Sequence, residues 1–187
     1  MINKTLIFFS ILFHLISFNL YGNEQLSFDV TEIEILDGGD RIIGKNRGVI
    51  KSNDGIVIEA DEFEFDKIKN ILEAKGNILV EDEINKYNFS AQNIIYNIND
   101  ERIELKGKAE ASIGTNYKFS SQNIIILRND MIISSDVGVT ILDNINQTRY
   151  EIGKFSYSLK EETLKGEKIF IHTKYDQPFS DKYFFKS

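Results

Sequence analysis

The chain has 187 residues, enough for one domain with a real core, and contains neither cysteine nor tryptophan. Zero cysteine excludes thiol catalysis, thiolate metal sites and disulfide stapling, so stability must come from sheet pairing and apolar burial. The formal charge of −7 argues against nucleic-acid binding, because neutralising phosphates requires a basic surface.

The first 22 residues differ in kind from the rest. Lys4 precedes Leu6 to Leu20, a 15-residue run in which eleven positions are Leu, Ile or Phe. That length suits a signal-peptide core and falls short of a membrane span. Gly22 is the small residue at which cleavage is expected, and an uncleaved N-terminal anchor is the alternative. Residues 1–22 are therefore assigned as a signal peptide and 23–187 as one exported domain. That domain keeps 21 basic and 29 acidic residues, a net charge of −8.

Along the domain one apolar quartet recurs: Phe28/Val30/Ile33/Ile35, Ile58/Ala60/Phe63/Phe65, Phe89/Ala91/Ile94/Tyr96, Phe119/Ser121/Ile124/Ile126 and Tyr150/Ile152/Phe155/Tyr157. The copies begin 30, 31, 30 and 31 residues apart, the mark of one supersecondary unit stacked repeatedly. Offsets of i, i+2, i+5 and i+7 scatter around a helix, so a helical reading fails. In a strand they form two pairs separated by an odd step, and all four face inward only if the strand bulges or turns a corner midway. The Ile, Val, Phe and Tyr at these positions suit a pleated surface.

Turn-forming residues fall between the runs: Asp37-Gly38-Gly39-Asp40, Ser52-Asn53-Asp54-Gly55, Asn97-Ile98-Asn99-Asp100, Arg128-Asn129-Asp130 and Asp143-Asn144-Ile145-Asn146. A second extended segment follows in most units. Ile71 to Val80 carries Gly76, Ile103 to Ala111 carries Gly107, and Thr163 to Ile171 carries Gly166. Glycine within a strand marks a bend, and the fourth unit has Val137 at that place, so it should bend less or differently.

Chemistry-bearing motifs are scarce. His14 lies in the leader, and His172 has no second histidine with which to build a metal site; a surface strand position is expected for it. Glu62, Glu64 and Asp66 alternate with Phe63 and Phe65 and read as a solvated outer face. Neither this cluster nor Glu81-Asp82-Glu83 has calcium-loop spacing. No glycine-rich phosphate loop, Gly-x-Ser-x-Gly elbow or His-Glu-x-x-His helix occurs, so no metal, cofactor or enzymatic activity is expected.

The segment Ile58-Glu59-Ala60-Asp61-Glu62-Phe63-Glu64-Phe65, followed by Leu72-Glu73-Ala74-Lys75-Gly76-Asn77-Ile78-Leu79-Val80, resembles the repeat of the OstA-like periplasmic domain family, the module shared by lipopolysaccharide transport proteins. Phe89 to Tyr96 with Leu105 to Ala109 repeats it, and the resemblance spans about residues 26 to 173. Within that group the chain is most similar to the N-terminal periplasmic region of LptD-type assembly proteins, on Leu164-Lys165-Gly166 leading to Pro178-Phe179-Ser180-Asp181-Lys182-Tyr183-Phe184-Phe185. LptA-type bridge proteins are the second choice. A sixth repeat would begin near Ser180, so the domain is expected to be truncated at its C-terminal end.

The resemblance implies an all-β, repeat-built, folded-over V-shaped β jelly roll with solenoid-like antiparallel sheets. It also implies a periplasmic role, outer-membrane associated if a barrel follows: shielding the lipid A acyl chains of lipopolysaccharide in an apolar groove. Carried over by position, the groove is lined by Ile58, Ala60, Phe63, Phe65, Ile78, Val80, Phe89, Ala91, Ile94, Tyr96, Ala109, Ala111, Phe119, Ile124 and Ile126. Implied partners are lipopolysaccharide, other OstA-like transport proteins joined by edge-strand pairing, and outer-membrane assembly proteins, with no nucleic acid. Read from residues alone, the same quartets equally suit a structural or adhesive β-solenoid with a sealed core. A carbohydrate-active enzyme would instead need two carboxylates facing across a cleft.

Overall fold

A computed structural model describes residues 26–173; the leader 1–22 and residues 178–185 of the family motif lie outside them. The described chain forms one twelve-stranded antiparallel sheet. Its strands are β1 (Leu26–Leu36), β2 (Arg41–Ser52), β3 (Ile56–Ala60), β4 (Glu62–Asp66), β5 (Ile71–Asp82), β6 (Tyr87–Asn97), β7 (Arg102–Ile113), β8 (Tyr117–Leu127), β9 (Ile132–Ser135), β10 (Val139–Asp143), β11 (Thr148–Ser158) and β12 (Thr163–Thr173). Each long strand pairs with its neighbours in sequence, and the order is a plain meander from β1 to β12. β3 with β4, and β9 with β10, are two halves of one interrupted strand: β3 and β4 pair opposite ends of both β2 and β5.

The interruption is the same feature as the odd step in the quartet. Halfway along, the register shifts between Lys75 and Ile78, Ser90 and Asn93, and Lys106 and Ala109. The extra residue sits on the glycine-bearing strands, where left-handed pairs occur: Gly76 with Asn77 and Gly107 with Lys108. β5 thus buries Leu72, Ala74, Ile78 and Val80, and β7 buries Ile103, Leu105, Ala109 and Ala111, on one continuous face across the bulge. In β2, Asn46 and Arg47 adopt the same left-handed pair without glycine. The resulting crease is held on its outer side. Asp61 N–H donates to the carbonyls of Lys75 and Gly76, Arg47 N–H donates to Asp61 O, and Asn77 Nδ2 donates to Asp61 Oδ2 at 2.8 Å.

The crease divides the sheet into two walls. The first holds residues 26–30, 48–52, 56–60, 78–82, 87–91, 109–113, 117–121, 139–143, 148–152 and 169–173; the second holds the other half of every strand. Between them lies one apolar cluster running from Leu26 to Phe155. Val137, where glycine was expected, does not bend within a strand. The ladder breaks over residues 136–138, and the Ser121 hydroxyl, standing where the second and third units have Ala60 and Ala91, donates to Gly138 O at 2.9 Å and lies 3.3 Å from the Ser135 hydroxyl.

The walls are not face to face strand for strand. Phe65 on β4 meets Phe28 on β1, with ring centroids 5.9 Å apart, and Tyr157 on β11 meets Tyr117 on β8 at 6.1 Å. Each strand of the second wall therefore faces an earlier strand of the first. This offset corrects the reading of the first quartet: Phe28 and Val30 pack on the core, but Ile33 and Ile35 are 49% and 63% exposed because, among the described residues, no earlier first-wall strand stands opposite. At the other end, Ile169 and Ile171 on the first-wall half of β12 are 40% and 37% exposed for the mirror-image reason.

Two glycines test the crease. A Cβ on Gly76, at φ +76°, would lie 2.5 Å from Asp61 Oδ2, and one on Gly48 would lie 2.5 Å from Val30 Cγ1 and 2.8 Å from Asp29 O. Gly76→Ala is expected to destabilise by about 1–3 kcal/mol through left-handed strain and displacement of a side chain. Gly48→Ala should lose at least as much because backbone cannot give way. Urea midpoints of the two variants measure this, and unchanged midpoints contradict it.

Candidate functional site

All fifteen positions expected to line the interior are on its inward face. Ile58 and Ala60 of β3, Phe63 and Phe65 of β4, Ile78 and Val80 of β5, Phe89, Ile94 and Tyr96 of β6, Ala109 and Ala111 of β7, and Phe119, Ile124 and Ile126 of β8 are buried, while Ala91 is partly buried against them. The structure brings them together in a single cluster and adds residues the quartets omit. Leu72, Ala74, Ile103, Leu105, Ile133, Val139 and Ile141 belong to it too, as do Ile152 and Phe155 of the fifth quartet. Alternation within the second extended segment of each unit is the signal that could have found the first seven.

The interior is filled rather than hollow. Phe119 stacks on Phe155 across the space, centroids 5.7 Å apart at an interplanar angle of 18°, and also touches Tyr157 at 5.6 Å. Such rings add directional attraction to the area they bury. The fifth unit therefore contributes Ile152 and Phe155 as full core members, with Tyr150 and Tyr157 half-buried beside them.

A polar cluster that the sequence reading missed sits at the lips of this interior. Arg128, in the turn after β8 on the second-wall rim, reaches across to the first wall. Its guanidinium donates through Nη1 to Asp54 and Glu101, through Nη2 to Asp54 O at 3.1 Å, and through Nε to Asp82 Oδ2 at 3.3 Å. Its side chain is only 9% exposed. Tyr96, wholly buried, donates its hydroxyl toward Asp54 Oδ2 at 3.0 Å. Asp82 is fixed by its own turn, accepting from the backbone N–H groups of Ile84 and Asn85 and from Asn85 Nδ2. These residues lie up to 74 positions apart, and each reads locally as an ordinary turn or strand end, so nothing in one sequence marks them as partners.

One cation faces three carboxylates, and the electrostatics divide accordingly. Burial opposes ionisation of Asp54, but the Ser52 hydroxyl and the Arg128 guanidinium outweigh it and hold the carboxyl below its usual range. Burial, aided by the charge of Asp54, prevails over Arg128 at Glu101 and pushes that carboxyl up. Tyr96 is pushed up by burial and by both carboxylates. Arg128, despite burial, is held more firmly protonated by Asp54 and its neighbours. Among the described residues no group of three or more His, Asp or Glu is placed to hold a metal ion.

Elsewhere, His172 lies exposed on β12, opposite Arg149 of β11. With Asp143, Thr148 and Arg149 it borders a rim hollow of about 380 Å³, apart from the apolar interior. Glu62 and Glu64 point outward as expected.

The fold so defined is a creased antiparallel β jelly roll with an apolar interior. It is shared with the crystal structure of LptH, the LptA homologous periplasmic component of the conserved lipopolysaccharide transport device from Pseudomonas aeruginosa, at a TM-score of 0.52 and 14% identity, over 59% of this chain and 80% of that one. No protein-family model matches the chain, and no curated protein does.

The lowered Asp54 carboxyl sets a pH test. Its contribution is complete above the ordinary value of 3.8 and is lost as pH falls through the lower folded-state value. Asp54→Asn should therefore destabilise at pH 7 by about 1 kcal/mol, allowing for its partial exposure, with the difference shrinking as pH falls below 3.8. Glu101 runs the other way: its ionised form is disfavoured as pH rises past the ordinary 4.5, so Glu101→Gln should be the milder variant at pH 7. Thermal melts across pH check both; a pH-independent loss for Asp54→Asn contradicts the assignment.

Proposed function

We propose that this chain is a periplasmic lipopolysaccharide-carrying module whose interior shields lipid A acyl chains and passes them toward outer-membrane assembly. The observation that carries the reading is the continuity of the apolar interior along the whole stack, left unfaced at Ile33 and Ile35 at one end and at Ile169 and Ile171 at the other. Every acyl CH₂ kept from water is worth about 0.8 kcal/mol, so an apolar path removes a large barrier to moving a multi-chain lipid. The fold likeness to a protein described as a component of a lipopolysaccharide transport device supports the same cargo.

The two ends suggest how modules join. Among the described residues β1 and β12 each pair on one side only, and each edge is eleven residues long. Unpaired edges of this length invite a partner strand. The half-wall missing at the β1 end has the chemistry of the half-wall left uncovered at the β12 end. A second OstA-like module docked there would extend both the sheet and the interior. The fold likeness supports an LptA-type bridge, and the motif beginning at Leu164-Lys165-Gly166 supports an LptD-type periplasmic region.

A second reading, a structural β-solenoid with a sealed core, is favoured by the stacking of Phe119 on Phe155 across the interior. Photocrosslinking separates the two. A photoreactive residue replacing Phe89 or Phe119 should capture lipopolysaccharide, whereas one replacing the outward Glu62 should not. Adducts at Glu62 alone, or at none of the three, would sink the carrier reading.

A further inference from the structure

The two walls touch at their lips by two unlike means. Near the ends of the stack the contacts are aromatic, Phe28 on Phe65 and Tyr117 on Tyr157. Between them the contact is the cluster of Arg128, Asp54, Asp82, Glu101 and Tyr96. The elements that meet there are the turn following β2 and the end of β5 on the first wall, and the turns following β6 and β8 on the second.

These means differ in what parting them requires. Separated aromatic lips expose apolar area, so water opposes their opening in proportion to that area. Ionic lips regain hydration when separated, which offsets the lost attraction and leaves the net contribution of a buried ion pair small. The cluster also carries three carboxylates for one guanidinium, so the repulsion among Asp54, Asp82 and Glu101 is relieved when the rims separate. Closure there depends on Arg128 alone among these groups, because it supplies the only positive charge in the cluster.

We propose that Arg128 is the latch of a lateral mouth: when it releases Asp54 and Asp82, the rims part between the two aromatic contacts and an acyl-bearing lipid enters the interior sideways. The identity of the cargo rests on the carrier reading above; the latch itself rests on the geometry of the rims. A filled interior and a carrier role are then compatible, because the filled form is the closed, unloaded state and the hinge is the crease.

The test uses the absence of native cysteine. Glu83→Cys and Asp130→Cys place one label on each rim, in exposed turns beside the mouth and outside the cluster. Spin-label distances in the full chain should show one short population with Arg128 present. In Arg128→Gln a second population should appear, longer by at least a strand spacing of about 5 Å. Its open fraction should rise at least tenfold, because the substitution removes the charge from every hydrogen bond that Arg128 makes across the mouth to Asp54 and Asp82. Arg128→Lys should fall between, and if Arg128→Gln does not fold, Asp54→Asn, which neutralises a carboxylate held by Arg128 across the mouth, serves in its place. A folded variant with an unchanged distance overturns the latch. Joining the two cysteines with a short bis-maleimide should then slow uptake of fluorescent lipopolysaccharide, with chains blocked singly at each cysteine unaffected. Equal uptake by bridged and unbridged chains overturns the lateral mouth. If the unbridged chain takes up no lipopolysaccharide while the labels still separate, the carrier reading fails and the latch stands.

Discussion

The crease governs everything else in this molecule. A long β-strand sends alternate side chains to opposite faces, so a flat sheet of eleven-residue strands would have one apolar face with nothing to cover it. One extra residue halfway along, accommodated by the left-handed pairs Gly76 with Asn77 and Gly107 with Lys108, lets each strand turn while keeping the same face inward. The two halves of one sheet then bury each other, and no second sheet is needed. Repetition strengthens the device. The bulges of β2, β5 and β7 fall at matching positions along the sheet, so their bends add into one fold line instead of cancelling.

Twist turns that simple folding into an asymmetric stack. Strands in a sheet rotate relative to their neighbours, so the halves on either side of a crease cannot stay opposite their own partners. The second wall faces earlier strands of the first, as the pairs Phe65 with Phe28 and Tyr157 with Tyr117 show. One half-wall is consequently left over at each end. Ile33 and Ile35 belong to one, and Ile169 and Ile171 to the other. In a closed globule such residues would be a liability; in the stacked module proposed above they would be its joining surfaces.

Charge at the lips sets the chain apart from a plain packed core. Apolar residues of similar volume would join the rims at least as firmly as a buried guanidinium held by three carboxylates. The arrangement instead makes the closed state depend on one residue whose partners are themselves well solvated when released. Asp54 and Glu101, displaced to opposite sides of their usual ionisation ranges, show how unevenly that single positive charge is shared. The proposed mouth lies where attraction is specific and separation is easily accommodated by water.

Much of this was legible before any coordinates. The quartet spacing implied strands with a corner, and Gly76 and Gly107 marked where the corner falls. The turn residues at 37–40, 52–55, 97–100, 128–130 and 143–146 marked hairpins that the structure contains. These features are local: periodicity, glycine and turn chemistry act within a few residues of chain, and a sequence states them directly. The inter-wall offset is not local, so Ile33 and Ile35 looked like core although none of the described residues covers them. Arg128 looked like a turn residue although it spans the rims to Asp54. The sequence by itself determined a repeating, creased all-β sheet with an apolar inner face. Only the tertiary structure decided which half-walls meet, which are left over, and what closes the lips, because accumulated twist, not local pattern, sets which distant residues face each other.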